Sequence, residues 1–177
     1  IDLTNNPVTY FRQMTAAKWT AEANGTPLWP AMTGGGMVVC GTTLLQAQML
    51  SYAMGLGYGD GWGQRLTSPN LTYLGTQDVT VSLDIFAQAE AGYDYTKIYL
   101  EVDSPYAKIL LNGPNGHDLA GTIAAGVITP EHFVSAPVTN SQFGGGTSPK
   151  TFRIIIEFVS DIAVSDFSGL DTEYGAV

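Results

Sequence analysis

Apolar and polar residues alternate along several short stretches of the chain. The alternation runs from Val79 to Phe86, returns from Tyr95 to Val102, and is longest and most apolar from Phe152 to Phe158. A period of two places neighbouring side chains on opposite faces of a β-strand, so each stretch predicts a strand with one buried face. The third stretch is expected to be the central strand of its sheet.

Shorter strand candidates and turn signals fill much of the remaining chain. Further strands are predicted at Met37 to Cys40, Leu71 to Leu74, Lys108 to Leu111, Ile162 to Val164 and around Val8 to Arg12. Turns are predicted where Gly, Pro, Asn or Asp cluster, at Leu74-Gly75, Ala91-Gly92, Asn112 to Gly116, Phe143 to Pro149 and Ser165 to Gly169. Thr43 to Met54 has apolar residues at helical spacing, but strand spacing fits it equally well.

Many short strands at regular spacing predict an all-β fold. We expect one antiparallel β-sandwich domain over residues 1–177, with a jelly roll as the favoured topology and at most one short helix. The stretch from Gly57 to Leu71 is interpreted as a glycine-hinged aromatic turn. The strands at Val79–Phe86 and Tyr95–Val102 are expected to pair as a hairpin, with acidic and tyrosine residues in the connection.

Charge and cysteine content narrow the possible roles. The chain has 177 residues, with 7 Lys and Arg against 16 Asp and Glu, and a net charge of -9. The electrostatic field of a chain with this negative charge repels nucleic acid and anionic lipid and attracts cations. The single Cys40 cannot form an internal disulfide, and no Cys/His cluster indicates structural zinc. No apolar run approaches the roughly 20 residues of a membrane span, and a signal peptide is not apparent at Ile1.

The low charge and the abundance of Gly, Thr and Ser are typical of secreted β-proteins, so an extracellular or cell-surface location is expected. We interpret the chain as a mature form or an excerpt of a longer protein. Sequons at Asn24-Gly25-Thr26 and Asn70-Leu71-Thr72 would permit glycosylation in a compartment with the machinery.

Four segments together resemble the MAM-like domain, a jelly-roll module of secreted metalloproteases of the immune-inhibitor A type and of many bacterial surface proteins. The segments are VVCG (Val38 to Gly41), GYGDGWGQRLTSP (Gly57 to Pro69), EAGYDYTKIYLEV (Glu90 to Val102) and SDFSGLDTEYGAV (Ser165 to Val177). The resemblance covers the chain from about Met37 onward and implies a non-catalytic extracellular accessory or adhesion module. It also implies a further strand after Val177 and a structural Ca²⁺ held by loop carboxylates.

The resemblance and the acidic loops together suggest a calcium site. Glu90 and Asp94 fall on acidic positions of the family's E-x-G-Y-D motif, and Trp62 falls on its G-W motif. The family's Trp-Asp-Gln is Trp62-Gly63-Gln64 here, and Gln88 stands where an acidic residue is expected. Ca²⁺ takes six to eight oxygen ligands, so clustered loop carboxylates are what it requires. The candidate ligands are Asp60, Glu90, Asp94, Asp171 and Glu173; the alternative is that they are solvated loop acids.

Aromatic residues suggest a second kind of site. If exposed, Trp19, Trp29, Tyr58, Trp62 and Tyr93 would offer flat rings that stack on a sugar, which predicts a carbohydrate-binding module as an alternative function. Trp62, flanked by glycines, is equally interpreted as a core side chain, because Trp is highly buried on average. The candidate ligand-binding residues are Trp29, Tyr58, Trp62 and Tyr93.

No sequence motif indicates catalysis. The chain lacks a G-x-S-x-G elbow, an H-E-x-x-H helix, a P-loop and a dinucleotide fingerprint. His117 and His132 are expected on surface loops rather than in a triad. Asp84 and Glu101 are considered as a glycosidase pair facing each other across strands, but are expected to point into solvent. We therefore expect that the protein is not an enzyme.

A third function class is a structural subunit of a surface filament. If the chain is complete, the absent closing strand leaves an open sheet edge that a neighbour can fill, and Ile1 to Met14 is the candidate donor strand. The alternative is that the polypeptide continues beyond Val177. Expected partners are therefore a protein or glycan at the cell surface, or a second copy of the chain.

Overall fold

The structure, a computed structural model, describes residues 11–15, 36–41, 58–124, 127–162 and 175–176. The candidate helix at 43–54, the turn at 165–169, the sequon at Asn24 and the residues Trp19, Trp29, Asp171 and Glu173 lie outside the described residues.

Within these residues the fold is all-β, with antiparallel strand pairing throughout. The strands, in chain order, are β1 (Arg12–Thr15), β2 (Gly36–Val39), β3 (Gly63–Thr67), β4 (Leu71–Tyr73), β5 (Ser82–Ile85), β6 (Ala87–Gln88), β7 (Tyr95–Asp103), β8 (Tyr106–Leu110), β9 (Leu119–Ala120), β10 (Thr122–Ala124), β11 (Val127–Thr129), β12 (Glu131–Val134), β13 (Lys150–Val159) and β14 (Gly175–Ala176). The fold-class prediction is confirmed, whereas the jelly-roll order of the strands stays a prediction.

A five-stranded sheet is built around β13. β13 pairs with β7 on one edge and with β3 and β4 on the other, and β8 extends the sheet beyond β7. The expected strands at 95–102 and 152–158 are therefore confirmed, and β13 is both the longest strand and a central one. In β7, Ile98, Leu100 and Val102 are fully buried, as the alternation predicts, but Tyr99 and Glu101 on the other face are buried too, so the expectation of a single buried face is wrong for this strand.

β3 and β4 follow the same edge of β13 with a bulge between them. Thr67 lies opposite Ile155, whereas Leu71 lies opposite Phe152, so the chain gains one residue between the two strands. Ser68 bridges the interruption: its N–H donates to the Ile154 carbonyl and its hydroxyl accepts from the Ile154 N–H, both at 2.9 Å. In the described part of the stretch at 57–71, residues 60–61 form a turn, as expected, and residues 63–67 are strand.

The second layer consists of smaller strand pairs. β5 pairs with β12, and β6 lies between β9 and β14. An apolar cluster joins the layers: Ile98 and Phe158 of the large sheet pack with Ile85 and Phe133 of the second layer. A second cluster unites Leu100, Val102 and Phe152 with Val81, Val138 and Phe143. The burial of apolar faces from both layers against each other is the sandwich arrangement.

The expected hairpin between the strands at 79–86 and 95–102 is wrong. β5 pairs with β12 and β7 pairs with β13 and β8, so the two lie in different layers. The first strand is also shorter than expected, because Val79 forms only an isolated bridge with Val138. The acidic turn between β6 and β7 therefore connects layers and does not close a hairpin.

Glycine-rich turns lie where the sequence predicts them. Gly75, Gly92, Gly113 and Gly116 all have positive φ angles, which L-residues with a side chain adopt at a cost. At Gly116 a Cβ would also lie 2.6 Å from the carbonyl oxygen of Thr96, so both the backbone angle and the packing require glycine.

Part of the candidate donor strand is already used within the chain. β1 pairs antiparallel with β2, and Met14 in β1 is fully buried. The end of the predicted donor at 12–14 is thus an internal strand, which corrects that interpretation for these residues. Among the described residues, no helix has the length and apolarity required to cross a bilayer.

Candidate cation site

Strand register brings three loop ends together at one end of the sandwich. Val159, the last residue of β13, lies opposite both Gly63 at the start of β3 and Tyr95 at the start of β7. The residues just before β3, just before β7 and just after β13 must therefore meet. They include Trp62, Asp94 and Ser160, all of which are buried.

Three carboxylates converge at this point. Glu90, Asp94 and Asp161 each offer an oxygen, and these oxygens all lie within 4.8 Å of one another. Asp94 is fully buried, and Glu90 and Asp161 are half-buried. A cation at this point would be attracted by all three carboxylates at once.

Backbone hydrogen bonds hold the cluster in place. The Asp161 N–H donates to Asp94 Oδ1 at 2.7 Å, and the Asp94 N–H donates to the Glu90 carbonyl at 3.0 Å. The Glu90 N–H donates to the phenol oxygen of Tyr58 at 3.0 Å. Gly61 N–H donates to the Asp161 carbonyl, which ties the turn before β3 to the same cluster. The carboxylates are therefore placed by the fold rather than by flexible side chains alone.

Ser160 secures the neighbouring loop. Its N–H donates to the Trp62 carbonyl at 2.9 Å and its hydroxyl accepts from the Trp62 N–H at 2.8 Å. The same hydroxyl donates to the Gly59 carbonyl at 2.8 Å. Because Ser160 precedes Asp161, these bonds also fix where Asp161 enters the site.

The structure brings two of the predicted metal ligands together and places a third carboxylate, Asp161, beside them. Glu90 and Asp94 lie together, as the acidic-turn pattern suggests. Asp60 lies in the turn before β3, half-buried, and is not among the three acids whose oxygens converge. Sequence reasoning missed Asp161. Its signal is its position directly after the longest predicted strand, but using that signal requires the register of β13 against β7.

Two of the aromatic residues predicted to bind a sugar, Tyr58 and Trp62, are not on the surface. Tyr58 is fully buried and Trp62 nearly so, and both belong to the apolar cluster that joins the layers. Their rings pack edge-on, with Tyr58 also in edge-on contact with Phe158. Side chains this deeply buried leave almost no ring surface on which a sugar could stack, whereas Tyr93 in the acidic turn is exposed.

Glu101 is also buried, which corrects the expectation that it points into solvent. Its carboxylate accepts from Arg65 Nη2 at 2.6 Å and lies 3.4 Å from Arg153 Nη2. The hydrogen bond with Glu101 raises the pKa of Arg65 above its ordinary value. Asp84 lies on β5 in the other layer, so it does not face Glu101 across neighbouring strands.

Both histidines are held by strand contacts, which corrects the expectation of surface loops. His132 is a residue of β12, and His117 forms a bridge with Thr96 of β7. His117 Nδ1 lies 2.7 Å from the Asn112 amide nitrogen, and its ring packs edge-on against Phe133.

Comparison of the chain with protein-family models, with curated proteins and with solved structures finds no match.

Proposed function

We propose that this protein is a cation-stabilised binding module, an extracellular accessory or adhesion domain of the MAM-like type. Glu90, Asp94 and Asp161 hold Ca²⁺ at the end of the sandwich. The observation that carries the proposal is the burial of the Asp94 carboxylate against two other carboxylates.

Electrostatics supports a cation at this position. At an effective dielectric constant of about 20, two ionised carboxylates roughly 5 Å apart repel by roughly 3 kcal/mol. A divalent cation converts this repulsion into attraction. All three donors are carboxylate oxygens, the hard ligands that Ca²⁺ prefers.

The site also fits an extracellular setting. Extracellular Ca²⁺ modules typically bind with dissociation constants of roughly 10⁻⁴–10⁻³ M, whereas cytosolic sensors bind more tightly. Three carboxylates on loop ends are suited to a site that fills only where calcium is abundant. The net charge of -9 further favours the approach of cations.

Exposed apolar side chains border the cluster and provide a contact surface. Tyr93 lies between Glu90 and Asp94 in the chain and is 61% exposed, and Ile162 follows Asp161 and is 85% exposed. A bound cation would fix the loops that carry both side chains. In this proposal the cation orders the surface and the partner, a protein or glycan, contacts Tyr93 and Ile162.

The proposal is tested by thermal unfolding in Ca²⁺ and in chelator. A ligand that binds only the native state stabilises it by about 2.7 kcal/mol at a concentration of 100 times Kd, so the wild-type melting temperature should rise with Ca²⁺ and saturate. Asp161→Asn should reduce the rise strongly.

Asp78→Asn is the matched control, since it removes the same charge at an exposed position outside the cluster. It should leave the calcium response unchanged. A wild-type melting temperature that does not move at millimolar Ca²⁺, or an equal response in Asp161→Asn, would contradict the proposal.

A further inference from the structure

The outer face of the β5–β12 pair carries a serine, a histidine and an aspartate in contact. His132 lies directly opposite Asp84, and Ser82 lies two residues from Asp84 on the same face of β5. Phe133 and Ile85, on the opposite face, are buried in the apolar cluster. The alternation that buries those residues therefore places the three polar side chains together in solvent.

Ladder geometry explains why the side chains meet. Ser135 N–H donates to the Val81 carbonyl at 2.9 Å, so Val81 and Ser135 form a hydrogen-bonded pair. Such pairs alternate with non-hydrogen-bonded pairs, which makes His132 and Asp84 a non-hydrogen-bonded pair, the kind whose side chains approach most closely. A diagonal neighbour such as Ser82 is within reach of a long side chain.

The three side chains form a continuous hydrogen-bonded chain. His132 Nδ1 lies 2.7 Å from Asp84 Oδ1, and His132 Nε2 lies 3.3 Å from Ser82 Oγ. In the neutral tautomer that donates to Asp84, the ring proton of His132 lies on Nδ1. Nε2 then carries the lone pair and faces the serine hydroxyl, as a general base requires.

We propose that Ser82, His132 and Asp84 form a nucleophilic centre that hydrolyses esters. Their roles follow from the contacts: Ser82 is the nucleophile, His132 the general base, and Asp84 the group that orients the imidazole. This inference is independent of the cation site, which lies between other elements.

The reaction proceeds in two steps. Ser82 Oγ attacks the ester carbonyl carbon while His132 Nε2 takes the hydroxyl proton. The bond from carbon to the leaving oxygen then breaks, and Nε2 returns the proton to the departing alcohol. Water attacks the acyl-serine with His132 again accepting a proton, and the carboxylic acid leaves as Ser82 regains its hydrogen.

The surroundings define the substrate class. Ser82 and Val134 form a non-hydrogen-bonded pair, so the Ser82 N–H points away from β12 and can donate to the oxyanion. The side chains of His132 and Asp84 are 68% and 60% exposed. An open face suits acyl esters presented by an extended or surface-bound substrate. It also limits the rate, because water weakens each electrostatic contact.

The first test uses p-nitrophenyl acetate and a fluorophosphonate probe with intact-mass detection. Wild type should release p-nitrophenolate about tenfold faster than Ser82→Ala or His132→Gln. This ratio is smaller than the acceleration that a positioned general base usually provides. The probe should add one label, and peptide mapping should place it on Ser82. His117→Gln is the matched control, because it removes the other histidine and should keep the wild-type rate.

The second test removes the carboxylate that orients the imidazole. Asp84→Asn should lower the rate of p-nitrophenolate release several-fold and slow the labelling of Ser82 by the probe, while His132 and Ser82 are still present. Equal rates in wild type and Ser82→Ala would overturn the proposal. A label mapped to another residue, or an equal loss in His117→Gln, would overturn it as well. Melting temperatures of the variants report folding, and the mapping needs only the wild-type protein.

Discussion

Two buried carboxylates in this fold have opposite surroundings. Glu101, on the outer face of the five-stranded sheet, is contacted by Arg65 and Arg153. Asp94, at the end of the sandwich, lies against the carboxylates of Glu90 and Asp161. Burial alone therefore does not tell which groups surround a carboxylate. Glu101 is contacted by two arginines, whereas the Asp94 carboxylate lies beside two further carboxylates.

The contrast follows from where each residue lies in the sheet. Glu101 lies in mid-strand, where its cross-strand neighbours are Arg153 on β13 and Lys108 on β8. Asp94 precedes β7, where loops converge and side chains are not constrained to alternate. Register pairs the mid-sheet charge of Glu101 with arginine side chains, whereas the loops that converge at the strand ends bring Asp94 beside two further acids.

The largest expected effect is at Glu101. Glu101→Gln keeps the shape of the side chain but removes the charge that holds Arg65 and Arg153. Breaking a buried ion pair from one side typically costs 3–5 kcal/mol, and because both arginines are partly exposed we expect about 2 kcal/mol here. Urea unfolding measures the loss.

Asp103→Asn serves as the control, since it also removes a partner of Arg153 but at an exposed position. It should cost well under about 1 kcal/mol, as surface ion pairs do. Equal losses in the two variants would remove the distinction between the buried and the exposed acid.

At Asp94, in the presence of chelator, we expect a substitution to raise the free energy of unfolding rather than lower it. Asp94→Asn removes one of the three clustered charges, and the amide oxygen can still accept from the Asp161 N–H. We expect a gain of about 1 kcal/mol without metal, because repulsion is relieved. With saturating Ca²⁺ the variant should instead be less stable than wild type, since a ligand is lost. Urea unfolding in both conditions measures the crossover, and parallel shifts would contradict it.

The smallest expected effect is at Lys108, also on the Glu101 face. Lys108 Nζ lies 3.9 Å from the centroid of the Tyr99 ring and 3.6 Å from Glu157. Its interactions with Tyr99, and then with Glu157, raise its pKa above the ordinary value. A lysine whose pKa is raised by folding stabilises the folded state at pH values below its pKa in the unfolded chain, about 10.4. This stabilisation disappears as the pH rises through the pKa of the folded state.

Lys108→Met should therefore lower the melting temperature slightly at pH 8 and less at pH 11. Lys150→Met, at the start of β13, is the matched control for the loss of a lysine charge, and the effect of Lys108→Met is measured relative to it. A difference between wild type and Lys108→Met that grows with pH would contradict the interpretation.

Alternation alone predicts the main strands well. The stretches at 95–102 and 152–158 are both strands, although Tyr99 in the first and Ile155 in the second are buried on the face that the pattern assigns to solvent. Pairing could not be deduced this way, since a period of two says which face is buried and not which strand is the neighbour. The wrong hairpin has that origin: residues 79–86 and 95–102 are close in sequence, yet they belong to different layers.

The site was only partly predictable for the same reason. Glu90 and Asp94 are local in sequence, so a turn rich in acids identifies both. Asp161 is 67 residues from Asp94, and their hydrogen bond depends on the register of β13. The contact of His132 with Asp84, 48 residues away, likewise depends on the pairing of β12 with β5.

The central position of β13 bears on how the protein could be divided. An exposed glycine turn at 144–146 precedes β13, and the strand then pairs with β7 on one edge and with β3 and β4 on the other. A backbone cut in that turn would leave a fragment that recognises its complement through ladders on both edges. The domain is thus suited to reconstitution from two separately produced pieces, and reassembly of the pieces would rebuild the end where Asp161 meets Asp94.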